Sequence, residues 1–233
     1  MIKDMTDFHS HILPGVDDGS KSIEETLKML ELLSDQGVRR VVATPHFYPN
    51  HHSVEEFLEK RNSAYEEIKK HIEVSHPQVV LGAEIKFYDG ISRMENLSAL
   101  LIEGTEILLL EMPFERWSDY TVRELINLSS GGICTVAIAH IDRYMLFQNK
   151  NVLFELLENG ILFQANAEAF ERFFERRKML KLLKQGAIHF IGTDCHNLTD
   201  RAPNIKKAYN VILKKFGEQF TENLINSQKQ VFF

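Results

Sequence analysis

Two histidines near the start of the sequence have a spacing that suits metal binding. His9 and His11 lie one residue apart in a predicted strand, residues 5–11. Side chains at positions i and i+2 of a strand point to the same face, so both imidazoles can reach one ion. The following loop, in the motif HSHILPGVDDGS, adds Asp17 and Asp18. Acidic residues before glycine are also common in ordinary turns, and we expect at least one of the two to bind an ion or to orient a ligand.

Histidines and carboxylates recur at the ends of later apolar segments. They are His46, Glu84, Glu111, His140, Asp194 and His196. In a parallel barrel the carboxyl ends of all strands face one mouth, where active sites are built. Burying so many ionisable groups together is costly without a cation. The sequence therefore predicts a metal centre, and its His and carboxylate set suits Zn, Mn or Fe(II).

The elements that position these residues alternate along the chain. The predicted strands are residues 5–11, 40–44, 79–82, 107–111, 134–139, 161–164 and 188–192. The predicted helices are residues 22–36, 54–71, 122–128, 152–158, 172–184 and 205–216. Several strands are apolar throughout, which is typical of strands buried on both faces in a parallel α/β fold. A closed barrel fits better than an open sheet because ligand-type residues follow nearly every strand.

The composition excludes some classes of function and indicates the cellular compartment. The net charge of −6 over 233 residues argues against a general nucleic-acid binder. The two cysteines, Cys134 and Cys195, form no CxxC pair, which fits a reducing cytoplasm. The sequence contains no signal-peptide pattern and no apolar run long enough for a membrane span. We therefore expect a cytoplasmic protein that binds no nucleic acid and does not insert into the membrane.

The ordered motifs resemble one family. HSHILPGVDDG, ATPH, GAE, EMPF, AHIDR and TDCHN extend from Phe8 to Arg201. Together they are similar to the polymerase-and-histidinol-phosphatase (PHP) superfamily and, within it, to bacterial capsule and exopolysaccharide tyrosine phosphatases. The resemblance implies one domain over residues 1–233, folded as a distorted (β/α)7 TIM-like barrel.

The resemblance also implies a ligand set for three divalent ions, expected to be manganese, with iron or zinc as alternatives. His9, His11, Glu84 and Asp194 would surround the first ion. Glu84 would bridge to a second ion held by Glu111 and His140. Asp18, His46 and His196 would hold the third, with Asp18 preferred to Asp17 because it aligns with the family ligand. Arg143 and Arg201 match the phosphate-contacting arginines of the family.

The function implied is hydrolysis of phosphotyrosine by a hydroxide that bridges two ions. The implied partner is the phosphotyrosine tail of a membrane-associated bacterial tyrosine kinase that controls capsule and exopolysaccharide synthesis. Two alternatives remain. The first is another hydrolase of the same superfamily, either a phosphatase for small molecules such as histidinol phosphate or a phosphodiesterase. The second is a metal-binding module without turnover. One motif departs from the family, because residues 140–143 read HIDR where HPER is usual. The missing proline leaves the shape of that loop open.

Three other features need an interpretation. Cys195 and Arg201 have the C-x5-R spacing of cysteine-dependent phosphatases, but the loop between them lacks glycine and contains Asp200. Residues 170–178, FERFFERRK, alternate aromatic and basic side chains, which could bind an anionic partner. At helical spacing, such a pattern more often indicates a core stripe, an apolar helix face buried in the core, with a charged face opposite. The role of the apolar end, Val231-Phe232-Phe233, stays open.

Overall fold

The computed structural model describes residues 2–232. Its strands are β1 (Met5–Ser10), β2 (Val38–Ala43), β3 (His46–Phe47), β4 (Gln78–Leu81), β5 (Glu84–Lys86), β6 (Ile107–Glu111), β7 (Thr135–Ile138), β8 (Leu162–Asn166) and β9 (Phe190–Gly192). Its α-helices are α1 (Ile23–Asp35), α2 (Val54–Lys69), α3 (Asp119–Ser130), α4 (Ile141–Tyr144), α5 (Lys150–Glu158), α6 (Phe173–Lys184), α7 (Ile205–Phe216) and α8 (Glu218–Lys229). The predicted alternation is confirmed, whereas α4 and α8 were missed.

All strand pairs between residues 2 and 232 are parallel, in the orders β1-β2-β4 and β3-β5-β6-β7-β8-β9. β3 and β5 continue β2 and β4 after short breaks. The break after β2 contains Pro45, which has no N–H to donate to a neighbouring strand. Backbone bonds from Gly82 N to Ala43 O (2.9 Å) and from Glu84 N to Pro45 O (3.1 Å) keep the two continued strands side by side.

The ring of strands closes between β9 and β1. Asp194 N donates to His9 O (2.8 Å) and His11 N donates to Cys195 O (2.9 Å), next to a parallel bridge between Ser10 and Cys195. Counting β2 with β3 and β4 with β5, the ring has seven strand positions. The predicted distorted (β/α)7 barrel is therefore confirmed.

The helices cover the barrel through their apolar faces. Ser22 caps α1 by accepting a bond from Glu25 N, and Ser53 and Glu56 form a capping box at α2. The buried helix residues, such as Met29 and Leu125, belong to one large cluster that also includes strand residues. Helix formation and barrel packing thus bury the same side chains.

The apolar C-terminal segment packs on the strands. The Phe232 ring lies 5.7 Å from the Phe8 ring, and the Arg40 guanidinium carbon lies 4.0 Å from the Phe232 ring centre. Phe8 in turn stacks on Phe190 at 4.3 Å. The role of Val231 and Phe232 is therefore packing against the core. Phe233 lies outside the described residues.

The core-stripe interpretation of residues 170–178 is wrong for two phenylalanines. Phe170 is fully buried, but Phe173 and Phe174 are 74% and 90% exposed. The segment is not one helix, because a 3-10 turn ends at Phe170 and α6 begins at Phe173. The face that α6 buries is set instead by Met179 and Leu183. Within residues 2–232, no helix combines the length and apolarity needed to cross a bilayer.

Candidate metal centre

The predicted ligands meet at the carboxyl ends of the strands, as the barrel argument requires. Local backbone irregularities turn them inward. The pairing of β1 with β2 shifts register between Asp7 and Ser10, around His9. His140 and Asp194 have φ values of 31° and 54°, in the left-handed region that non-glycine residues seldom occupy. Gly192 leaves room for His9, since a Cβ at 192 would lie 2.8 Å from the His9 backbone nitrogen.

Glu84 is the centre of the cluster. Its Oε2 lies 2.9 Å from His46 Nδ1, 3.2 Å from His9 Nε2 and 3.3 Å from His11 Nε2. Its Oε1 lies 2.9 Å from His140 Nε2. One buried carboxylate therefore faces four imidazoles that come from three different strand ends.

The ligand atoms gather in overlapping groups, in each of which they lie within 4.8 Å of one another. The groups are His9 with His11 and Glu84; His46 with Glu84 and Glu111; and His11 with Asp18, His46 and His196. Asp194 Oδ1 joins the first group, 3.5 Å from His11 Nε2 and 3.7 Å from His9 Nε2. All nine predicted ligands are thus brought together.

These residues fit divalent ions. His46 Nδ1, Glu84 Oε2, His140 Nδ1 and His196 Nε2 are buried atoms without a hydrogen-bond partner among residues 2–232. His46 Nδ1 and Glu84 Oε2 are close but not aligned for a hydrogen bond. Unpaired buried polar atoms are costly. Coordination to a cation would satisfy them, because imidazole nitrogen and carboxylate oxygen are common ligands of Zn, Mn and Fe.

The charges of the cluster favour a cation. Burial alone would lower the pKa of His11, but the Asp17 and Glu84 carboxylates outweigh it and raise that pKa to about 10. Against burial, Glu84 and Asp194 likewise raise the pKa of His9. His196 is the exception, since burial, followed by the charges on His11 and Arg201, lowers its pKa to about 4. Carboxylates that draw protons onto neighbouring imidazoles will equally attract metal cations.

The two aspartates of the DDG motif have separate positions. Asp17 Oδ2 lies 2.6 Å from His11 Nδ1 and accepts the His46 N–H at 2.9 Å. This contact places the proton on Nδ1 and leaves His11 Nε2 free to bind an ion. Asp18 Oδ1 lies 3.4 Å from His196 Nε2 and 3.6 Å from His46 Nε2. The geometry therefore favours Asp17 as an orienting residue and Asp18 as a ligand.

Sequence reasoning missed the contribution of β8, the strand whose end has no His or carboxylate. Gln164 Oε1 lies 3.1 Å from His9 Nδ1 and accepts the His140 N–H at 2.7 Å. Asn166 Nδ2 donates to Asp194 Oδ2 at 3.0 Å. The available signal was a pair of amides in an otherwise apolar segment, LFQAN, since buried amides need partners.

Arg143 and Arg201 converge on one carboxylate. Arg143 Nη2 lies 2.6 Å from Asp194 Oδ2, and Arg201 Nη2 lies 2.6 Å from Asp194 Oδ1. Their side chains remain 38% and 35% exposed. Each guanidinium thus has donors left for an anion at the mouth, and the planar fork of arginine suits phosphate.

The HIDR departure does not disturb this arrangement. Ile141–Tyr144 forms the short helix α4 directly after His140. Asp142 Oδ1 accepts the Asn166 N–H at 2.8 Å and fixes the turn to β8. An aspartate anchor therefore holds the loop in the absence of the proline.

An aromatic and cationic rim, formed by Tyr48, Lys86 and Phe114, lies beside the ligands. Tyr48 stacks on His46 at 5.3 Å, and Phe114 stacks on His140 at 5.9 Å. Lys86 Nζ lies 3.1 Å from Glu111 Oε2 and 5.5 Å from the Phe114 ring centre. All three side chains are partly exposed, so the rim can contact a bound molecule.

The C-x5-R motif does not form a cysteine-phosphatase loop. Cys195 is fully buried, and burial raises the pKa of its thiol well above the ordinary value. A reactive cysteine needs access and a stabilised thiolate. Arg201 is instead bound to Asp194, in the candidate metal cluster.

A seven-position parallel barrel with a His and carboxylate cluster at the carboxyl ends of its strands defines the PHP class of metal-dependent hydrolases. Within that class, the chain belongs to the capsular polysaccharide synthesis family CpsB/CapC, whose sequence model matches residues 5–232.

Relatives align along nearly the whole chain. Tyrosine-protein phosphatase CpsB of Streptococcus pneumoniae is 31% identical, over 94% of each chain. Tyrosine-protein phosphatase YwqE of Bacillus subtilis is 30% identical, over 94% of this chain and 89% of YwqE. A solved structure from the study of those two proteins, described as metal-dependent tyrosine phosphatases, has a TM-score of 0.83 at 26% identity, covering 97% of this chain and 94% of its own. A phosphotriesterase homology protein from Escherichia coli shares the fold alone, with a TM-score of 0.58 at 14% identity.

Proposed function

We propose that the protein is a metal-dependent phosphotyrosine-protein phosphatase. The observation that carries this proposal is the convergence of Arg143 and Arg201 on Asp194, within a cluster of unpaired imidazoles and carboxylates. A metal hydrolase with two partly exposed guanidiniums beside its ions is suited to a phosphoryl group. The names of the relatives support the same activity.

The metal ligands are His9, His11, Asp18, His46, Glu84, Glu111, His140, Asp194 and His196. Divalent ions held there would lower the pKa of bound water and neutralise charge on the phosphoryl oxygens. Arg143 and Arg201 orient the phosphate and stabilise the charge that spreads over its oxygens in the transition state. Asp17 and Gln164 hold the imidazoles in the required tautomers.

The rim favours an aryl phosphate. The exposed parts of Phe114 and Tyr48 offer apolar surface to an aromatic ring beside the centre. A phenol, with a pKa of about 10, is also a better leaving group than an alkyl alcohol. The chain therefore needs no dedicated general acid for tyrosine.

Three finer points belong to the proposal. Three overlapping ligand groups support three ions, and the mixed His and carboxylate ligands suit manganese. The proposed substrate is the phosphotyrosine-rich tail of a membrane-associated tyrosine kinase that controls capsule or exopolysaccharide synthesis. The family description, capsular polysaccharide synthesis, supports the process. The site of action is the cytoplasm, which the free thiols of Cys134 and Cys195 support.

The decisive experiment compares substrates on protein of known metal content. Phosphotyrosine peptides, histidinol phosphate and a phosphodiester are assayed with Mn²⁺, Fe²⁺ or Zn²⁺ supplied. We expect the highest kcat/KM for phosphotyrosine peptides and loss of activity with a chelator. A preference for histidinol phosphate or the diester would refute the substrate assignment. A fully loaded protein without turnover would be a binding module instead.

A further inference from the structure

Helices α6 and α7 carry a concentration of positive charge in an acidic chain. The net charge of the whole sequence is −6. Helix α6, FFERRKMLKLLK, has five basic side chains and one acidic side chain. Helix α7, IKKAYNVILKKF, has four lysines and no acidic side chain. Such an asymmetry points to an anionic partner for this surface.

The two helices border a groove of about 680 Å³. Its lining includes Phe173, Phe174, Arg176, Lys181, Lys215 and Phe216, and no acidic side chain. Among residues 2–232, none of the lining cations has a carboxylate within 4.0 Å. These cations are therefore free to meet external negative charge.

Three nearby acidic side chains already have partners. Arg172 lies 2.8 Å from Glu168 and 3.4 Å from Glu175. Lys207 Nζ lies 3.3 Å from Glu171. These three carboxylates, which lie close in sequence to the start of α6, are thus paired with cations outside the groove lining.

Two adjacent phenylalanines project from the edge of this groove. Phe173 and Phe174 form an edge-to-face pair with centroids 5.3 Å apart, and both are mostly exposed. Exposed aromatic pairs of this kind mark an interaction site. Aromatic rings beside clustered Arg and Lys are typical of surfaces that bind membrane interfaces, where rings enter the acyl boundary and cations meet lipid phosphates. An acidic peptide would account for the cations but not for two projecting rings.

The pair also begins the helix that follows a strand end at the barrel mouth. β8 ends at Asn166, which contacts Asp194 in the metal cluster, and α6 begins a few residues later at Phe173. A surface bound through Phe173 and Phe174 would hold the centre close to substrates displayed on that surface.

We propose that the α6–α7 groove and the Phe173–Phe174 pair form a docking site for a bilayer of anionic phospholipid. Binding is peripheral and reversible, with the two rings at the acyl boundary and the groove cations on the headgroup phosphates. This site is separate from the metal centre and does not depend on the proposed phosphatase activity.

Flotation of the metal-loaded full chain with vesicles tests the site. Vesicles of phosphatidylcholine alone are compared with vesicles in which phosphatidylglycerol replaces part of it. We expect binding to the anionic vesicles only, and weaker binding as salt shortens the Debye length from about 10 Å at 0.1 M to about 3 Å at 1 M.

Matched variants separate the two contributions. Each basic residue near an anionic surface adds about 1 kcal/mol, or about fivefold in the partition constant, so Arg176→Gln with Arg177→Gln should weaken binding about 30-fold. Phe173→Ser with Phe174→Ser should weaken it about tenfold or more for each ring. The control is Lys69→Gln with Lys70→Gln, an exposed basic pair at the C-terminal end of α2 and outside the groove lining, which should bind like the parent.

The circular dichroism spectrum and the thermal unfolding midpoint should be unchanged in every variant, which shows that each has folded. Equal binding to neutral and anionic vesicles, or an equal loss in the Lys69 and Lys70 control, would overturn the proposal. Failure to bind anionic vesicles combined with retention on immobilised polyglutamate would assign the surface to an acidic protein and overturn the lipid assignment.

Discussion

Removal of either arginine at the mouth gives the sharpest test of the phosphate site. Arg143 and Arg201 each contact Asp194 at 2.6 Å and keep donors exposed. A hydrogen bond to a charged group contributes about 1.5–3 kcal/mol. If each guanidinium makes one such bond that strengthens in the transition state, Arg143→Ala and Arg201→Ala should each lower kcat/KM about 10- to 150-fold. Lysine variants keep the charge but lose the planar fork, and should fall between alanine and the parent.

The assay measures kcat and KM on a phosphotyrosine peptide, with metal content determined on the same sample. The matched control is Arg123→Ala, an exposed arginine on α3, which should be unaffected. Metal content must stay at the parent level, because Asp194 keeps its contacts with Asn166 and the other arginine. Parent-like kcat/KM in both alanine variants, or an activity loss that follows metal loss, would refute the assignment of these residues to phosphate.

Four further predictions follow from the same geometry. Gln164→Ala should weaken metal affinity about 10- to 100-fold, measured by competition with a chelator, while excess metal restores activity. Cys195→Ser should retain activity that EDTA abolishes; the reverse pattern would establish a cysteine nucleophile. Phe114→Leu should raise KM for aryl phosphates several-fold and leave alkyl phosphates unchanged. Burial lowers the pKa of His189, whose Nδ1 accepts the Phe163 N–H at 3.1 Å. As the pH falls below about 6.5, the unfolded chain therefore binds a proton before the folded chain does, and the free energy of unfolding decreases. His189→Gln should reduce that fall by up to about 1.4 kcal/mol per pH unit in urea denaturation.

The barrel and the convergence of its candidate ligands were predictable because the same local pattern repeats. Most candidate ligands lie at or just after the end of a short apolar segment, and parallel strands must present such ends at one mouth. Glu84 and His46 were found on this basis, although each lies in a separate short strand after a break. The breaks could not be predicted, since they depend on how neighbouring strands share hydrogen bonds around Pro45.

What sequence reasoning missed depends on tertiary contacts. Gln164 carries no chemistry of its own, and its role follows from lying between His9 and the His140 backbone. The exposure of Phe173 and Phe174 was mispredicted because an apolar and basic alternation resembles a helical stripe until the helix start is known. Helical periodicity determines which residues share a face, whereas contacts with the barrel determine which face is buried.

Asp194 links the candidate metal cluster to the proposed phosphate site. Its Oδ1 faces His9 and His11, while each of its oxygens also accepts a guanidinium. A substrate phosphate must therefore share these guanidiniums with a carboxylate that is itself a proposed metal ligand. Two arginines already held in place lose little conformational freedom when phosphate binds, so more of the interaction is available to the transition state. Asp194→Asn should consequently disturb metal binding and phosphate binding together. Asp17 contacts the candidate metal ligand His11 and neither arginine. Asp17→Asn should therefore lower metal affinity and leave KM of the reloaded enzyme close to the parent value.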